Sequence, residues 1–403
     1  MNNHYIRNTC RLCKSENLKI ILNLTPTALC DAYITEQKEQ EVYPLDLQKC
    51  EECNFVQINC VVNPEVIYKD YIYETKSSFG LSDHFQNYAT EVLNKLNFSK
   101  NSSVLDIGSN DGTLLYHFKK NGMKTLGIEP ASITAKVANE NGIETICDFF
   151  NLELQKSLEI KYGKFDLITI NNLFANIDDL DSIITGINNL LTKNGVFIIE
   201  SSYLFDMIDN MVFDFIYHEH LSYFSLLPLK KFFDKFDFHL IDIQHVETKG
   251  GSMRYYWARK DSNWSVNENV NYWFNFEFNK LNDKDYFSSF ALRIEKEKND
   301  LLQELKKYEG RKIIGFGASA TSTTFIYHFE LGNKLSNLVD ENPGKFNTLS
   351  PGYHIPVYEF KNTNEKSDEV AIILAWRYYK QIIPKIKGKY YKIITPLPQL
   401  ETE

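Results

Sequence analysis

Apolar and polar residues alternate along the chain in a way that predicts short buried strands separated by amphipathic helices. Short apolar runs are typical of parallel strands buried on both faces. Residues 196–199 form one such run, and residues 104–107 form another that a single acid interrupts. Helices are predicted over residues 84–96, 180–191 and 288–308. Because the predicted strands and helices alternate along the chain, the pattern predicts an α/β protein with a central doubly wound sheet.

The length and charge of the chain restrict its organisation and its ligands. A chain of 403 residues is too long for one ordinary core, and we expect three domains, over residues 1–80, 81–250 and 251–403. The net charge is −9, and no basic stripe with interleaved aromatic residues is present, which argues against a nucleic-acid substrate. No apolar run could span a membrane and no apolar signal region opens the chain. We expect a cytoplasmic monomer that acts on a small molecule.

A glycine turn joins the first strand of the predicted central sheet to a helix. Residues 103–130 predict a strand, a turn, a helix and a second strand, and the turn holds Gly108 and Gly112. Small residues let the backbone approach a ligand, the helix N-terminus presents N–H groups, and Glu129 can accept both ribose hydroxyls. The unit predicts a nucleoside site, although an ordinary α/β unit with a glycine turn shares the pattern.

Two acids make this turn unsuited to a diphosphate. Asp106 and Asp111 stand where nicotinamide and flavin proteins carry the GxGxxG pattern, and they favour a cationic ligand. S-adenosylmethionine carries a sulfonium and an ammonium group, so the segment looks like the first motif of a class I methyltransferase. We assign the amino-acid end of that ligand to Asp106, Gly108, Asn110, Asp111 and Gly112, and its ribose to Glu129.

Polar residues also follow later strands. Asp148 and Phe149 come after a predicted strand, where an acid and an aromatic ring suit the amine and the face of adenine. Asn171 and Asn176 project from the carboxyl end of the strand predicted over residues 165–172. Ligands bind at this edge in open α/β sheets, so both asparagines are candidate site residues.

Four cysteines form two CxxC pairs near the start of the chain. Cys10 and Cys13 make one pair, Cys50 and Cys53 the other, and 36 residues separate the pairs. This spacing predicts a closed Cys₄ zinc site of the structural kind. Disulfides are disfavoured in a cytoplasmic chain, and a redox pair is disfavoured because neither CxxC opens a helix.

A segment rich in tyrosine and hydroxyl groups follows the second cysteine pair. Residues 64–80 hold Tyr71, Ser77 and Ser78, among other polar aromatic and hydroxyl residues. These side chains suit the wall of a polar ligand site, and the alternative is that the tyrosines pack between domains.

Two histidines flank one glutamate in the segment 213–225. A metal site is a weak interpretation, because His218 and His220 would need further ligands and only Glu219 is near. A histidine oriented by a carboxylate can remove a weakly acidic C–H proton, so acid–base chemistry fits better. A structural, hydrogen-bonded histidine is the alternative for each, and more so for His218.

The ordered motifs resemble the sugar C-methyltransferases of deoxysugar biosynthesis, enzymes similar to the tetronitrose C-3 methyltransferase. The resemblance covers essentially the whole chain. It rests on the two cysteine pairs, residues 71–78, IGSNDGTLL at 107–115, NNLFANIDDL at 171–180, YHEHLSYFS at 217–225, GGSMRYY at 250–256, GFGASATSTT at 315–324 and PGYHIPVY at 351–358. It implies a zinc-binding domain, a domain that binds S-adenosylmethionine, and a Rossmann-like C-terminal domain.

The resemblance also implies a reaction: methylation at C-3 of a nucleotide-linked 4-keto-deoxysugar through an enolate. By position, His220 is the general base, Glu219 its orienting partner, and Tyr217 and Tyr71 are polar groups around the sugar. The family has a histidine where this chain has Asn176, so one ionisable group of the pocket is absent, and the position of methylation and the reaction itself stay open at this point.

The C-terminal third holds a second turn of small residues, which suits an anion. It contains no acid, and its hydroxyl groups stand beside the N–H groups of a predicted helix N-terminus. We expect it to bind the diphosphate of a dTDP-, GDP- or CDP-sugar, and a purely structural cap is the alternative. The residues we assign to this substrate are Ser252, Arg254, Gly317, Ser319, Thr321, Ser322, Thr323 and Arg377, with Ser77 and Ser78.

Two other functions stay open on the sequence. Asn176 leaves room for an O- or N-methyltransferase, or for a non-methylating enzyme that uses the same histidine. A silent protein that binds sugar nucleotides is the third possibility.

Overall fold

The first unit of the fold is a small antiparallel sheet around the cysteine pairs. The computed structural model describes residues 3–68, 80–361 and 366–403. The elements of this unit are β1 (His4–Ile6), β2 (Leu18–Thr27), β3 (Tyr43–Cys50), β4 (Val56–Ile58), β5 (Cys60–Val62) and the short helix α1 (Pro64–Tyr68). β2, β3 and β4 pair in sequence, and β1 pairs with β5. The first CxxC pair precedes β2; of the second pair, Cys50 ends β3 and Cys53 lies in the turn between β3 and β4.

A seven-stranded sheet with helices on both faces forms the centre of the molecule. Its helices are α2 (Leu81–Leu96), α3 (Thr113–Lys120), α4 (Ser132–Glu140), α5 (Leu152–Tyr162), α6 (Leu180–Leu190), α7 (Leu204–Asp209) and α8 (Leu226–Phe233). The strands of this part of the chain are β6 (Ser103–Ile107), β7 (Lys124–Ile128), β8 (Thr145–Ile146), β9 (Phe165–Asn171), β10 (Leu191–Ser202), β11 (Ser222–Tyr223), β12 (Phe238–Val246) and β13 (Ser252–Arg259). All of them except β11 belong to the central sheet.

The strand order places the carboxyl ends of the parallel strands at one edge. The order is β12-β13-β10-β9-β6-β7-β8, and the strands from β10 to β8 are parallel. β13 is antiparallel to both of its neighbours, β10 and β12. The central sheet therefore extends to Arg259, past the boundary predicted at residue 250.

The C-terminal part is a second α/β unit. Its elements are α9 (Asn269–Asn282), α10 (Tyr286–Lys306), β14 (Ile313–Phe316), α11 (Ala320–His328), β15 (Leu335–Asp340), β16 (Val357–Glu359), β17 (Val370–Ile373), α12 (Tyr379–Ile386), β18 (Lys392–Thr395) and β19 (Glu401–Thr402). The sheet order is β16-β15-β14-β17-β18-β19, parallel except for the last pair. The predicted α/β class with a small N-terminal unit is confirmed.

The three units contact one another directly. β11, from the segment that carries the two histidines, pairs with β4 at the edge of the N-terminal sheet. Residues near Cys30 reach the C-terminal unit, where the backbone of Ile34 pairs with that of Leu349. Among the described residues, the helices are too short or too polar for one to cross a membrane.

Candidate active site

A cavity of about 640 Å³ lies at the carboxyl ends of β6, β7, β9 and β10, between the central sheet and the C-terminal unit. Its wall combines residues that the sequence placed in separate motifs. Those predicted site residues are Asp106, Gly108, Asn110, Glu129, Asp148, Phe149, Asn171, Asn176, Tyr217, Glu219, His220, Ser319, Thr321 and Arg377. The fold therefore brings together, around one cavity, the first glycine turn, the small-residue turn of the C-terminal unit and the histidine segment.

The first glycine turn forms one end of the cavity. Gly108 has a φ of 78°, and a Cβ there would lie 2.5 Å from the side chain of Leu173, so only glycine fits. Glu129 is 7% exposed and accepts hydrogen bonds from the backbone N–H groups of Asn110 and Ala131, each at 2.9 Å. Each carboxylate oxygen has two lone pairs and uses one here, so both oxygens can also accept a hydroxyl group.

Asp106 is buried at the end of β6, beneath the turn. Its carboxylate accepts hydrogen bonds from Thr169 Oγ1 at 2.6 Å and from Asn171 Nδ2 at 3.4 Å. Burial raises the pKa of Asp106 to about 7, against the opposing effect of these hydrogen bonds. A cation in the cavity would favour the ionised form, so the site suits a positively charged ligand.

Asn171 has an unsatisfied acceptor at the same place. Its Oδ1 is buried and has no hydrogen-bond partner among the described residues. A buried acceptor without a donor is costly, and the ammonium group of an amino acid would supply one. Together with Asp106 and Glu129, this atom makes the end of the cavity fit S-adenosylmethionine.

Asp148 and Phe149 lie on the cavity wall just after β8, at the predicted position. The Phe149 ring is 46% exposed, and Asp148 Oδ1 accepts a hydrogen bond from the Phe149 N–H at 2.7 Å. An exposed ring on a cavity wall offers a flat apolar surface for a purine.

Asp111 and Gly112 do not line the cavity, contrary to prediction. Asp111 is 2% exposed, and its Oδ1 accepts hydrogen bonds from the Thr113 N–H at 3.1 Å and from the Thr113 hydroxyl at 2.5 Å. It therefore holds the start of α3. Gly112 also has a φ of 78°, and a Cβ there would lie 3.1 Å from Ile143, so its role is in turn geometry and packing.

His220 is held in a defined orientation on the wall of the cavity. Its Nδ1 lies 3.1 Å from the Phe215 carbonyl, which can only accept, so the proton of the neutral ring is on Nδ1. The unprotonated Nε2 lies 3.3 Å from the Tyr217 hydroxyl, and the two rings are 4.2 Å apart. Glu219 lines the same cavity. The tautomer leaves Nε2 as the basic nitrogen.

His218 has a structural role, as the alternative interpretation expects. It is 1% exposed, and its Nε2 donates to the Pro44 carbonyl at 3.0 Å. Burial lowers the pKa of His218 to about 4. The ring therefore stays neutral and anchors the segment to the N-terminal unit.

The second small-residue turn contributes only part of the residues assigned to a diphosphate. Ser319 and Thr321 line the cavity. Ser322 caps α11 together with Ser319, and its hydroxyl donates to the Gly317 carbonyl at 3.0 Å. Gly317, Ser322 and Thr323 lie behind the cavity wall. The turn contains no acid, but Asp340 at the end of β15 accepts a hydrogen bond from the Ala318 N–H at 2.6 Å, which removes one donor.

Arg377 supplies the cation on this side of the cavity. Its Nη1 donates to Asp214 Oδ1 at 3.0 Å, and its Nη2 donates to Thr321 Oγ1 at 3.4 Å. The guanidinium lies 4.3 Å from the centre of the Phe215 ring. Buried Asp214 also accepts from the Trp376 indole N–H at 3.0 Å, so the arginine is oriented by groups from two units.

Arg254 and Ser252 are not at the cavity wall, contrary to prediction. Arg254 is 1% exposed and donates to Glu200 at 2.8 Å and to Glu91 at 2.9 Å. Its guanidinium lies 3.9 Å from the centre of the Tyr88 ring. The Ser252 hydroxyl donates to the Thr248 carbonyl. Both residues lie on β13, whose place inside the central sheet buries them.

The four cysteines of the CxxC pairs form one cluster. Their sulfur atoms all lie within 4.8 Å of one another, and Cys10–Cys53 and Cys13–Cys50 are 3.6 Å and 3.5 Å apart. A tetrahedron with Zn–S distances of about 2.3 Å has edges of about 3.8 Å. The cluster is therefore a Cys₄ zinc site, and zinc is the cofactor of the N-terminal unit.

Three of the predicted site residues lie outside the described residues: Tyr71, Ser77 and Ser78. Other residues of the site were missed from the sequence. The Phe215 carbonyl carries no sequence signal, because any residue can supply a carbonyl. Asp178, which lines the cavity two positions after Asn176, stands inside the NNLFANIDDL motif, so the motif is the sequence signal that points to it.

Comparison with known proteins agrees with the three-unit fold. Residues 10–68 match a zinc binding domain, residues 82–243 a methyltransferase domain, and residues 247–398 a C-methyltransferase C-terminal domain. The chain is 25% identical to the C-methyltransferase NovU of Streptomyces niveus, over 97% of this chain and 95% of NovU.

Two solved structures are similar to parts of the fold. An S-adenosylmethionine-dependent methyltransferase from Clostridium acetobutylicum is 17% identical, with a TM-score of 0.36, over 48% of this chain and 95% of its own. The PH0226 protein from Pyrococcus horikoshii is 13% identical, with a TM-score of 0.40, over 49% of this chain and 100% of its own.

Proposed function

We propose that this chain, an S-adenosylmethionine-dependent C-methyltransferase homologous to NovU, methylates C-3 of a nucleotide-linked 4-keto-deoxysugar with His220 as the general base. The observation that carries the proposal is that Nε2 of His220 is the basic nitrogen of a ring on the wall of the cavity that Asp106 and Glu129 line. We infer that His220 and the proposed methyl-donor site, which share this cavity, act on the same small substrate.

The chemistry required of the base is the removal of a weakly acidic proton. A ketone at C-4 acidifies the hydrogen on C-3, and Nε2 of His220 takes that proton while the electron pair moves into the enolate. The Phe215 carbonyl accepts from Nδ1–H and so stabilises the imidazolium that forms. When bound, S-adenosylmethionine would supply the electrophilic methyl group: the S–CH₃ bond breaks as the bond to C-3 forms, and the neutral thioether S-adenosylhomocysteine is the leaving group.

Two residues near the base define the rest of the reaction site. The Tyr217 hydroxyl, 3.3 Å from Nε2, is placed to hold the substrate ketone or to relay the proton to solvent. Glu219 lies on the same wall, and we assign it the role of orienting partner of His220. The predicted role of Tyr71 as a further polar group stays a prediction.

Asn176 occupies the position of the family histidine and lies on the cavity wall after β9. An amide can donate only a neutral hydrogen bond to the C-4 oxygen, which is weaker than one from an imidazolium. We expect a working enzyme that is slower than its histidine-bearing relatives, or one that directs the methyl group to another position.

The nucleotide end of the substrate fits the opposite side of the cavity. Arg377 presents a guanidinium beside Ser319 and Thr321, near the N-terminus of α11. An arginine and helix N–H groups are the usual ligands of a diphosphate. The carrier is proposed to be a dTDP-, GDP- or CDP-sugar.

Methyl transfer with a defined acceptor position tests this function. The purified protein is incubated with methyl-labelled S-adenosylmethionine and a panel of dTDP-, GDP- and CDP-linked keto sugars, and the products are analysed by mass spectrometry and NMR. A methyl group attached to C-3 supports the proposal. Attachment to oxygen or nitrogen, or binding of both ligands without transfer, would replace it with one of the alternatives that Asn176 left open.

A further inference from the structure

Arg11 stands between two zinc ligands and reaches toward the active site. It lies between Cys10 and Cys13 in the sequence, and its side chain is completely buried. Its Nε donates to Asp178 Oδ1 at 2.8 Å. Its Nη1 donates to the carbonyls of Ile58 at 2.7 Å and Leu221 at 3.1 Å. A guanidinium binds several acceptors in a fixed plane, so these groups are held in one geometry.

Two of the three groups that Arg11 holds, Asp178 and the Leu221 carbonyl, belong to the two segments of the active site. Asp178 follows Asn176 by two positions, and Leu221 follows His220 directly. Both Asn176 and His220 line the cavity. Arg11, a buried side chain of the N-terminal unit, therefore contacts two segments of the active site. One segment carries the proposed base His220, and the other carries Asn176.

Other contacts from the N-terminal unit hold the same two segments. Arg7 donates to Asp178 Oδ2 at 2.8 Å, and the Tyr5 hydroxyl donates to the same oxygen. The strand β11 begins two residues after His220 and pairs with β4, while His218 is bound to the Pro44 carbonyl. Arg11 differs from these residues because it contacts both segments itself.

The zinc site holds the backbone of Arg11. The Arg11 N–H donates to Gln57 Oε1 at 2.9 Å, and the CxxC turn on either side is closed by thiolates that share one metal. We propose that Arg11 is a positioning residue that couples the zinc turn to the orientation of His220 and Asn176. The inference rests on the proposed function for the role of His220.

Conservative replacement of Arg11 tests the proposal. Lysine in Arg11→Lys keeps the charge but cannot bind Asp178 and two carbonyls in one plane. We expect the variant to keep its zinc and to bind S-adenosylmethionine within about twofold of wild type, because Asp106 and Glu129 are untouched. We expect kcat to fall about tenfold or more, with a smaller change in KM, since small displacements of reacting groups have large effects on rate.

Asp178→Asn serves as the second variant, because it removes the charged partner without altering the zinc turn. We expect the same direction of change in kcat. Arg311→Lys is the matched control, since Arg311 pairs with Asp368 on the surface of the C-terminal unit and should keep wild-type kinetics. If Arg11→Lys does not fold, Arg11→Gln, which keeps two N–H donors but no charge, takes its place in the same measurements.

The NMR signals of the histidine rings give a readout that does not depend on turnover. In protein labelled at histidine, the His220 signal is assigned by its loss in His220→Asn. We expect that signal to shift or broaden in Arg11→Lys and Asp178→Asn, while the signals of His117 and His239 stay in place.

The outcomes separate this inference from the proposed function. If His220→Asn abolishes methyl transfer while both test variants, folded and zinc-loaded, keep the wild-type kcat and His220 signal, the positioning role is refuted and the proposed function stands. If His220→Asn transfers methyl groups at the wild-type rate, the proposed function fails, and the positioning role fails with it. A fall in Tm with wild-type kcat below the transition would show that Arg11 acts only on stability.

Discussion

At the scale of single residues, the charge state of Asp106 gives the clearest physical signature of the proposed methyl-donor site. The sequence shows that Asp106 is an acid. It could not show that the carboxyl group would be buried at the end of β6, with its pKa raised to about 7. That property comes from the strands that close over it, β7 and β9, and from the resulting loss of water.

Binding of S-adenosylmethionine should therefore release protons. The folded pKa of Asp106 is raised above its unfolded value, so ionising this group costs stability, and the cost is complete above about pH 7. A bound cation lowers the pKa again, and affinity should rise as the pH increases from about 5.5 to 7. Calorimetry at pH 6.5 in buffers of different ionisation enthalpy measures the release. Asp106→Asn should abolish it, and equal proton release by that variant would contradict the assignment.

Glu129 provides a second test at this scale. Its replacement by alanine removes charge-assisted hydrogen bonds worth about 1.5–3 kcal/mol each, so the affinity for S-adenosylmethionine should fall about tenfold or more. Glu140→Ala, on the exposed face of α4, is the matched control and should bind as wild type does. A dissociation constant for Glu129→Ala equal to that of wild type would remove Glu129 from the ribose site.

At the scale of elements, local patterns predicted well and long-range pairings did not. The unit over residues 103–130 was predicted in order, as β6, a glycine turn, α3 and β7, because its signals lie within a few residues of one another. The place of β13 between β10 and β12 depends on partners that lie 50 to 62 residues earlier in β10 and 6 to 21 residues earlier in β12. The same reason explains Arg254, whose acids Glu91 and Glu200 come from α2 and β10.

The two CxxC turns give the most direct prediction at this scale, which concerns the zinc content of the protein. We expect one zinc per chain, and we expect Cys50→Ser to lose the metal and lower the Tm, because the N-terminal sheet is closed by the CxxC turns. Cys147→Ser changes an exposed thiol far from the cluster and should keep both. Metal analysis of the two variants is the measurement. A well-folded wild-type preparation with less than about half an equivalent of zinc, or with disulfides at these cysteines, would contradict the account.

At the scale of the whole molecule, the site exists because three units meet at one cavity. Fourteen of the residues predicted from the sequence line this cavity, and many of them stand in turns after strands. It could not predict which members of each motif face the ligand. Ser319 and Thr321 line the cavity while Ser322 caps α11 behind them, and this division depends on how the C-terminal unit docks.

Arg377 tests that docking. Its guanidinium is oriented by Asp214 of the central unit and faces the proposed diphosphate. Arg377→Ala should raise the KM for the nucleotide sugar about tenfold or more and leave the affinity for S-adenosylmethionine unchanged. Lys380→Ala removes an exposed cation nearby and should have no such effect. An unchanged KM in Arg377→Ala would place the diphosphate elsewhere.

The central claim is that His220 removes a proton next to a ketone, and exchange of that proton measures the step directly. The keto sugar is incubated with the enzyme in deuterated water without S-adenosylmethionine, and loss of the C-3 proton signal is followed by NMR. General bases typically contribute about 10²–10⁴-fold. We expect the wild-type enzyme to catalyse exchange and His220→Asn to lose at least about a hundredfold in the exchange rate, with binding of S-adenosylmethionine intact. Exchange at the wild-type rate in His220→Asn would contradict it.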